Sequence, residues 1–228
     1  MTQSGIFIVM KYPEIGKVKM RLAESIGEEA ATGLYRAFIQ DILSTVQSLE
    51  ISYHIAVHPP ESQDEFAEWL GSAHQYFQQR GADLGERLKN GFRTMFEKDY
   101  QQVIALASDS PDLPIEILRE AVIALQTHEI VIGPATDGGY YLIGFSRDCF
   151  IPEAFEGISW STASVLEETL TRIGSINLRI HSLPEWADVD TIGDLQKFFL
   201  KHKNNPSMNL HTMLYLRSNP SLQHILGS

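Results

Sequence analysis

The feature that most constrains the fold is an alternation between two hydrophobic patterns along the chain. Residues 6–10 and Ser52–His58 are short apolar runs of strand length. Between them, residues 28–49 place Ala31, Leu34, Phe38, Ile42 and Val46 on one helical stripe. The alternation continues. Helices are expected over residues 63–70, 83–96, 114–126, 164–173 and 191–201, and strands over residues 103–107, 130–133, 140–145 and 176–182. Strands that alternate with helices imply an α/β fold, a mostly parallel sheet covered on both faces. Residues 1–202 read as one such domain and residues 203–228 as a C-terminal appendage, polar, without acidic residues and carrying Asn-Pro twice. Leu210, Met213, Leu214 and Leu216 are spaced for one short helix that packs on the body or on a second subunit, giving a homodimer; a loosely ordered end fits the same residues.

Composition narrows the partners. The 228 residues are 43% hydrophobic and 21% charged, enough to bury a sizeable core. With 18 basic against 29 acidic side chains the net charge is -11, which argues against a nucleic-acid binder, because phosphate neutralisation supplies most non-specific affinity. Any phosphate site must be local. The single cysteine, Cys149, excludes an internal disulfide framework and a Cys-rich zinc site, and its reduced state fits a cytoplasmic protein. Residues 5–10 are too short for a signal-peptide core, and no apolar run is long enough to span a membrane.

In an open α/β sheet, ligands bind beyond the carboxyl ends of the strands, so the segments following each strand are the places to look for chemistry. After the first, Lys11, Lys17, Lys19 and Arg21 put four cations within eleven residues, with Gly16 free to turn the backbone. This suits a polyphosphate and equally a solvated basic loop; neither a P-loop nor GxGxxG occurs. After residues 103–107 comes Ser108-Asp109-Ser110-Pro111-Asp112. Asp112 can order the entry to the helix beginning near Pro114, whereas Asp109 has no such structural use and stands where a carboxylate could hold a hard cation. Asp137-Gly138-Gly139 reads as a tight turn or as a close backbone approach to a ligand. Asp188 and Asp190 precede a helix cap formed by Thr191 and Asp194 and are free to bind metal. Gly81-Ala82-Asp83-Leu84-Gly85-Glu86-Arg87 opens a helix whose amides and Arg87 could meet an anion, although capping by Asp83 explains part of it. The eight histidines show no ligand spacing, and GxSxG is absent.

These segments, KYPEIGKVKMRLA, GLYRAFIQD, GADLGERL, SDSPDLP, GPATDGGYYLIG, ISWST and DVDTIGDL, occur in the order and approximate spacing of a bacterial family of nucleotide-diphospho-sugar transferases of the arsenosugar-biosynthesis type. The resemblance spans about residues 5–200. It implies the fold of the GT-A glycosyltransferases, and more distantly resembles phospholactate and molybdenum-cofactor guanylyltransferases. By this resemblance Lys11, Gly16, Lys17, Lys19 and Arg21 bind the nucleotide phosphates, and Gly81, Asp83, Leu84, Gly85 and Arg87 close the other side of the nucleotide pocket. It also implies that Asp109 and Asp190 coordinate Mg²⁺ or Mn²⁺, and that Asp137, Gly138, Gly139 and Tyr140 face the sugar or acceptor. The family carries Thr where this chain has Met20, and Ser108–Asp112 is not a plain Asp-x-Asp.

The function so implied is metal-dependent transfer of a sugar from a nucleoside diphosphate sugar to a small acceptor. Asp137 is the expected base, since it lies beside a glycine turn at the ligand edge and no histidine has an equal claim. The alternative is a guanylyltransferase-like nucleotidyltransferase that releases pyrophosphate from a nucleoside triphosphate.

Overall fold

In a computed structural model of the chain, residues 3–174, 178–205 and 209–227 are described. Seven strands form one sheet: β1 Ser4–Lys11, β2 Ser52–His58, β3 Tyr76–Gln78, β4 Gln102–Leu106, β5 Ile130–Pro134, β6 Tyr140–Ser146 and β7 Ile180–Ser182. Their order is β3-β2-β1-β4-β6-β5-β7. β1 runs parallel to β2 and β4, β2 to β3, and β5 to β7; β6 alone runs antiparallel, between β4 and β5. The expected strand at residues 176–182 begins outside the described residues, and its described part is β7.

Nine α-helices accompany the sheet among the described residues: α1 Met20–Ile26, α2 Glu28–Gln47, α3 Gln63–Leu70, α4 Leu84–Glu97, α5 Ile115–Ala124, α6 Val165–Ile173, α7 Ile192–His202, α8 His211–Ser218 and α9 Pro220–Gly227. Strand alternation divides the core between the two faces. Ile6, Ile8 and Met10 point toward α2, α5 and α7, while Phe7 points toward α4. Burial on both sides is why β1 and β4 read as continuous apolar runs instead of alternating ones. The first face is largely aliphatic. The second centres on Phe92 of α4, whose ring lies 5.1 Å from Phe7, 5.2 Å from Phe145 and 5.7 Å from Phe155.

Two elements carry no strong local signal. α1 was hidden in the basic loop: it has no side-chain cap, and its N-cap Lys19 is left-handed at φ 47°, ψ 46°. Val18, Leu22 and Ile26, four apart and turned to the core, are the pattern that betrays it. β3 is three residues long, too short for a period. The tail packs on its own chain. Met213 and Leu216 are fully buried with α2, Leu214 faces outward, and the buried Asp41 carboxylate accepts from His211 N at 2.6 Å, Thr212 N at 2.9 Å and Thr212 Oγ1 at 2.6 Å. Asp41 thereby caps α8 from 170 residues away.

Candidate active site

The parallel strands β1, β4, β5 and β7 end at one edge of the sheet, and their following loops converge there. A cleft of about 640 Å³ opens at that edge. Its floor is Val9, Ala105 and Ile143; α4 contributes Leu84 and Leu88, and the loop before α6 contributes Trp160 and Thr162. Asp109, Asp137, Asp188 and Asp190 all line it, together with Arg21. A second cavity of about 350 Å³, lined by Lys11, Lys17, Lys19 and Arg21, shares Arg21, Asp109 and Asp190 with the first. Four carboxylates and four cations spread over 180 residues of sequence are thus gathered at two adjoining cavities.

At the junction sits Lys19. Its Nζ lies 2.5 Å from Asp109 Oδ1 and 2.6 Å from Asp190 Oδ1, and donates to Val189 O at 2.9 Å. The Lys19 side chain is 5% exposed, while Asp109 and Asp190 are 38% and 40% exposed. Burial alone would lower the Lys19 pKa; the charges of Asp109 and Asp190 and their hydrogen bonds outweigh it and hold the ammonium above its ordinary value. Backbone ties fix the loops, with Val189 N donating to Asp109 O at 2.9 Å. The Thr191–Asp194 capping box sets the start of α7 directly behind Asp190.

The site carries excess negative charge even with Lys19 in place. Asp188 is partly buried at the cleft wall and accepts from Ser110 Oγ at 2.5 Å. Burial, reinforced by the charges of Asp109, Asp137 and Asp190, outweighs that bond and pushes Asp188 up to about 7. Two hard carboxylate donors on separate loops in such a field fit Mg²⁺ or Mn²⁺, which usually bind through one or two carboxylates and complete their shell with phosphate and water. Among the described residues no three His, Cys, Asp or Glu side chains group to hold an ion unaided.

The remaining expected residues divide by what they touch. Lys17 is exposed and forms a surface ion pair with Glu14 at 2.8 Å, and Lys11 Nζ donates to Lys17 O at 2.6 Å. Asp137 is exposed at the cleft and accepts from Gly139 N at 2.9 Å, so turn and site coincide in one residue. Gly139 and Tyr140 also line the cleft. Gly138, at φ 92°, is instead filled by the chain itself, since a Cβ there would lie 2.2 Å from Ala163 O. Asp83 caps α4 by accepting from Glu86 N at 2.8 Å. Gly85 gives close approach to the loop before α6, a Cβ there meeting Phe155 O at 2.4 Å. Gly81 and Gly16 are positive-φ turns. Arg87 points at the end of β2, where Nη1 donates to His58 Nε2 at 3.3 Å; its Nε is buried without a partner among the described residues.

Asp112 corrects a sequence expectation. It does not cap α5, whose N-cap is Pro114 without a side-chain bond. It is 6% exposed and accepts from Trp186 Nε1 at 3.0 Å, Lys201 Nζ at 2.7 Å and His202 Nε2 at 2.7 Å. Burial would raise its pKa, but these bonds prevail and hold it below the ordinary carboxylate value. Asp112 therefore ties the loop of Asp109 to α7. The segment ISWST of the loop before α6 carried no assigned role in the sequence; its Trp160 lies 6.5 Å from Tyr140 and lines the cleft.

The chain superposes on a protein of Desulfovibrio desulfuricans G20 described as a putative nucleotide-diphospho-sugar transferase, with a TM-score of 0.93, 40% identity and 99% of both chains covered. It is 24% identical to 2-phospho-L-lactate guanylyltransferase of Methanocaldococcus jannaschii over 214 residues, 92% of this chain and 88% of that one. At 14% identity and a TM-score of 0.52, covering 86% of this chain and 97% of the other, it shares its fold with Rv0371c of Mycobacterium tuberculosis H37Rv, solved as a manganese complex. The fold, a mostly parallel seven-stranded sheet flanked by helices, is similar to nucleotidyltransferase-like folds. No described helix is long and apolar enough to cross a membrane. Residues 42–162 match the family described as "Uncharacterized protein conserved in bacteria (DUF2064)", and the chain belongs to that family.

Proposed function

We propose that the chain is a GT-A-type glycosyltransferase that moves a sugar from a nucleoside diphosphate sugar to a small acceptor with the help of Mg²⁺ or Mn²⁺. The observation that carries this reading is the convergence of Asp109 and Asp190 beside a basic loop, at the mouth of an apolar-floored cleft. The 40% identical transferase-like relative supports it.

In this reading the diphosphate lies along the smaller cavity. Lys17 and Arg21 offer it charge-assisted hydrogen bonds, and Lys11 braces the loop through Lys17 O. Asp109 and Asp190 would hold the divalent ion, which when bound neutralises charge on the leaving diphosphate. The sugar and acceptor occupy the larger cleft, where Leu84, Leu88 and Trp160 cover apolar faces and shield the reacting atoms from water. Asp137, exposed at that cleft and oriented by Gly139 N, is placed to take the acceptor's hydroxyl proton.

The likeness to the guanylyltransferase favours a second reading, in which a nucleoside triphosphate is joined to a phosphorylated molecule with loss of pyrophosphate. Product analysis separates the two. With a panel of nucleotide sugars and Mg²⁺ or Mn²⁺, the first reading expects nucleoside diphosphate, released slowly to water when no acceptor is present. Pyrophosphate from triphosphates, with nucleotide sugars untouched, would overturn it. Asp137→Asn should depress turnover far more than nucleotide affinity; full activity in that variant would remove Asp137 as base.

A further inference from the structure

We propose that the Lys19 ammonium is a resident cation of the Asp109–Asp190 pair, holding both carboxylates in place in the empty enzyme and opposing a free divalent ion, so that metal enters together with nucleotide phosphates. The proposal rests on the reading of Asp109 and Asp190 as the metal's ligands. It concerns what this chain's own lysine does to that pair.

Three observations distinguish Lys19 from the phosphate-binding lysine that a basic loop suggests. Its Nζ is already committed to three acceptors, Asp109 at 2.5 Å, Asp190 at 2.6 Å and Val189 O at 2.9 Å, which matches the three donors of an ammonium. Its side chain is almost wholly buried, with the Phe38 and Tyr35 ring centroids 5.3 Å and 5.9 Å from Nζ, so the charge is backed by aromatic rings as well as carboxylates. Its backbone is left-handed, at φ 47°, although it is not glycine, and occupies the N-cap of α1 without capping it through its side chain. A β-carbon residue held there is strained, and the burial of Val18 and Leu22 on either side holds it. The backbone position is thus fixed by the fold, and the three acceptors hold the side chain within it.

The consequence is electrostatic. Asp109 and Asp190 each give one oxygen to Lys19 and keep a second for another cation. An ion arriving alone meets a pair already neutralised in part and an ammonium of like charge behind it. A nucleotide's phosphates add negative charge on the open side and tip the balance. Loading thus becomes ordered, with the metal–nucleotide complex favoured over either component.

Mn²⁺ titration followed by the electron paramagnetic resonance of the free ion tests this on the whole protein. Wild type, Lys19→Met, Lys19→Gln and Asp190→Asn are compared, each with and without nucleoside diphosphate, after circular dichroism has shown that the variant is folded. Wild type should bind Mn²⁺ weakly alone and more tightly with nucleotide. Lys19→Met or Lys19→Gln should bind Mn²⁺ alone about tenfold or more tightly than wild type, the scale of one like charge removed from a partly buried site. Unchanged or weaker Mn²⁺ affinity in a folded Lys19 variant overturns the proposal, while the metal reading survives if nucleotide-dependent binding remains in wild type and is lost in Asp190→Asn. Absence of Mn²⁺ binding to wild type even with nucleotide sinks both. If neither lysine variant folds, the ammonium ¹⁵N resonance of Lys19 in wild type decides: it should persist unshifted in millimolar Mg²⁺ and move only when nucleotide is added. A shift with Mg²⁺ alone would refute the ordered entry.

Discussion

Asp109 and Asp112 are three residues apart on one loop, and both face cations, yet the structure makes them opposites. Asp112 is closed in, with its hydrogen bonds supplied by Trp186, Lys201 and His202. Asp109 shares one ammonium with Asp190 and is more than a third exposed to a cleft already rich in negative charge. A buried carboxylate saturated by partners stabilises a connection; a carboxylate with free oxygen at a cavity can act on a ligand. Burial and satisfaction, not residue type, divide structure from chemistry here.

The comparison breaks most sharply if the open pair is changed. Asp109→Asn or Asp190→Asn should cut turnover by about 100-fold or more, since each weakens the hold on the divalent ion that neutralises charge on the leaving diphosphate; the decline is read from initial rates of nucleoside diphosphate release. Near-normal rates in both would place the chemistry elsewhere. Changing the closed carboxylate should move stability instead. Asp112→Ala strands Lys201 and His202 and should cost about 3 kcal/mol, seen as an earlier denaturant midpoint, with nucleotide binding retained where the protein is still folded.

Acid sharpens the same contrast. The Asp112 pKa is lowered in the folded state, so its stabilisation is complete above the unfolded carboxyl's value of about 4 and is lost as pH falls through the lower folded value. The stability gap between wild type and Asp112→Asn should therefore be largest near neutrality and close below about pH 4; a gap that widens in acid would reverse the sign. The smallest effect belongs to Lys17, which forms an exposed ion pair with Glu14. Lys17→Ala should leave stability within about 0.5 kcal/mol while weakening nucleotide binding several-fold, measured by calorimetry. Unaltered affinity would make Lys17 a solvated surface charge.

Much of the fold was legible because its signals are local. The apolar runs of β1 and β4, the stripe of α2 and the capping box at Thr191 each lie within one element, and the structure forms all of them. α1 escaped because seven residues give barely two turns of period and its cap is a strained lysine. Of the site, the sequence indicated which loops face the ligand edge and that Asp137 combines a turn with that edge. It misread Asp112 as a helix-entry residue, because partners 74, 89 and 90 residues away leave no local trace.

What the sequence determined by itself is the alternation of strand and helix, and with it a sheet buried on both faces. That follows from hydrophobic period, a property of neighbouring residues. What the tertiary structure decided is which charges meet. Lys19 reads as one of four cations in a loop, and becomes the buried partner of Asp190, 171 residues on, only because β1 and β4 are neighbours and the loop after β7 runs back across the sheet edge past β5 to the loop after β4. Electrostatic pairing depends on distance in space and on the water excluded between the groups, and the fold alone fixes both.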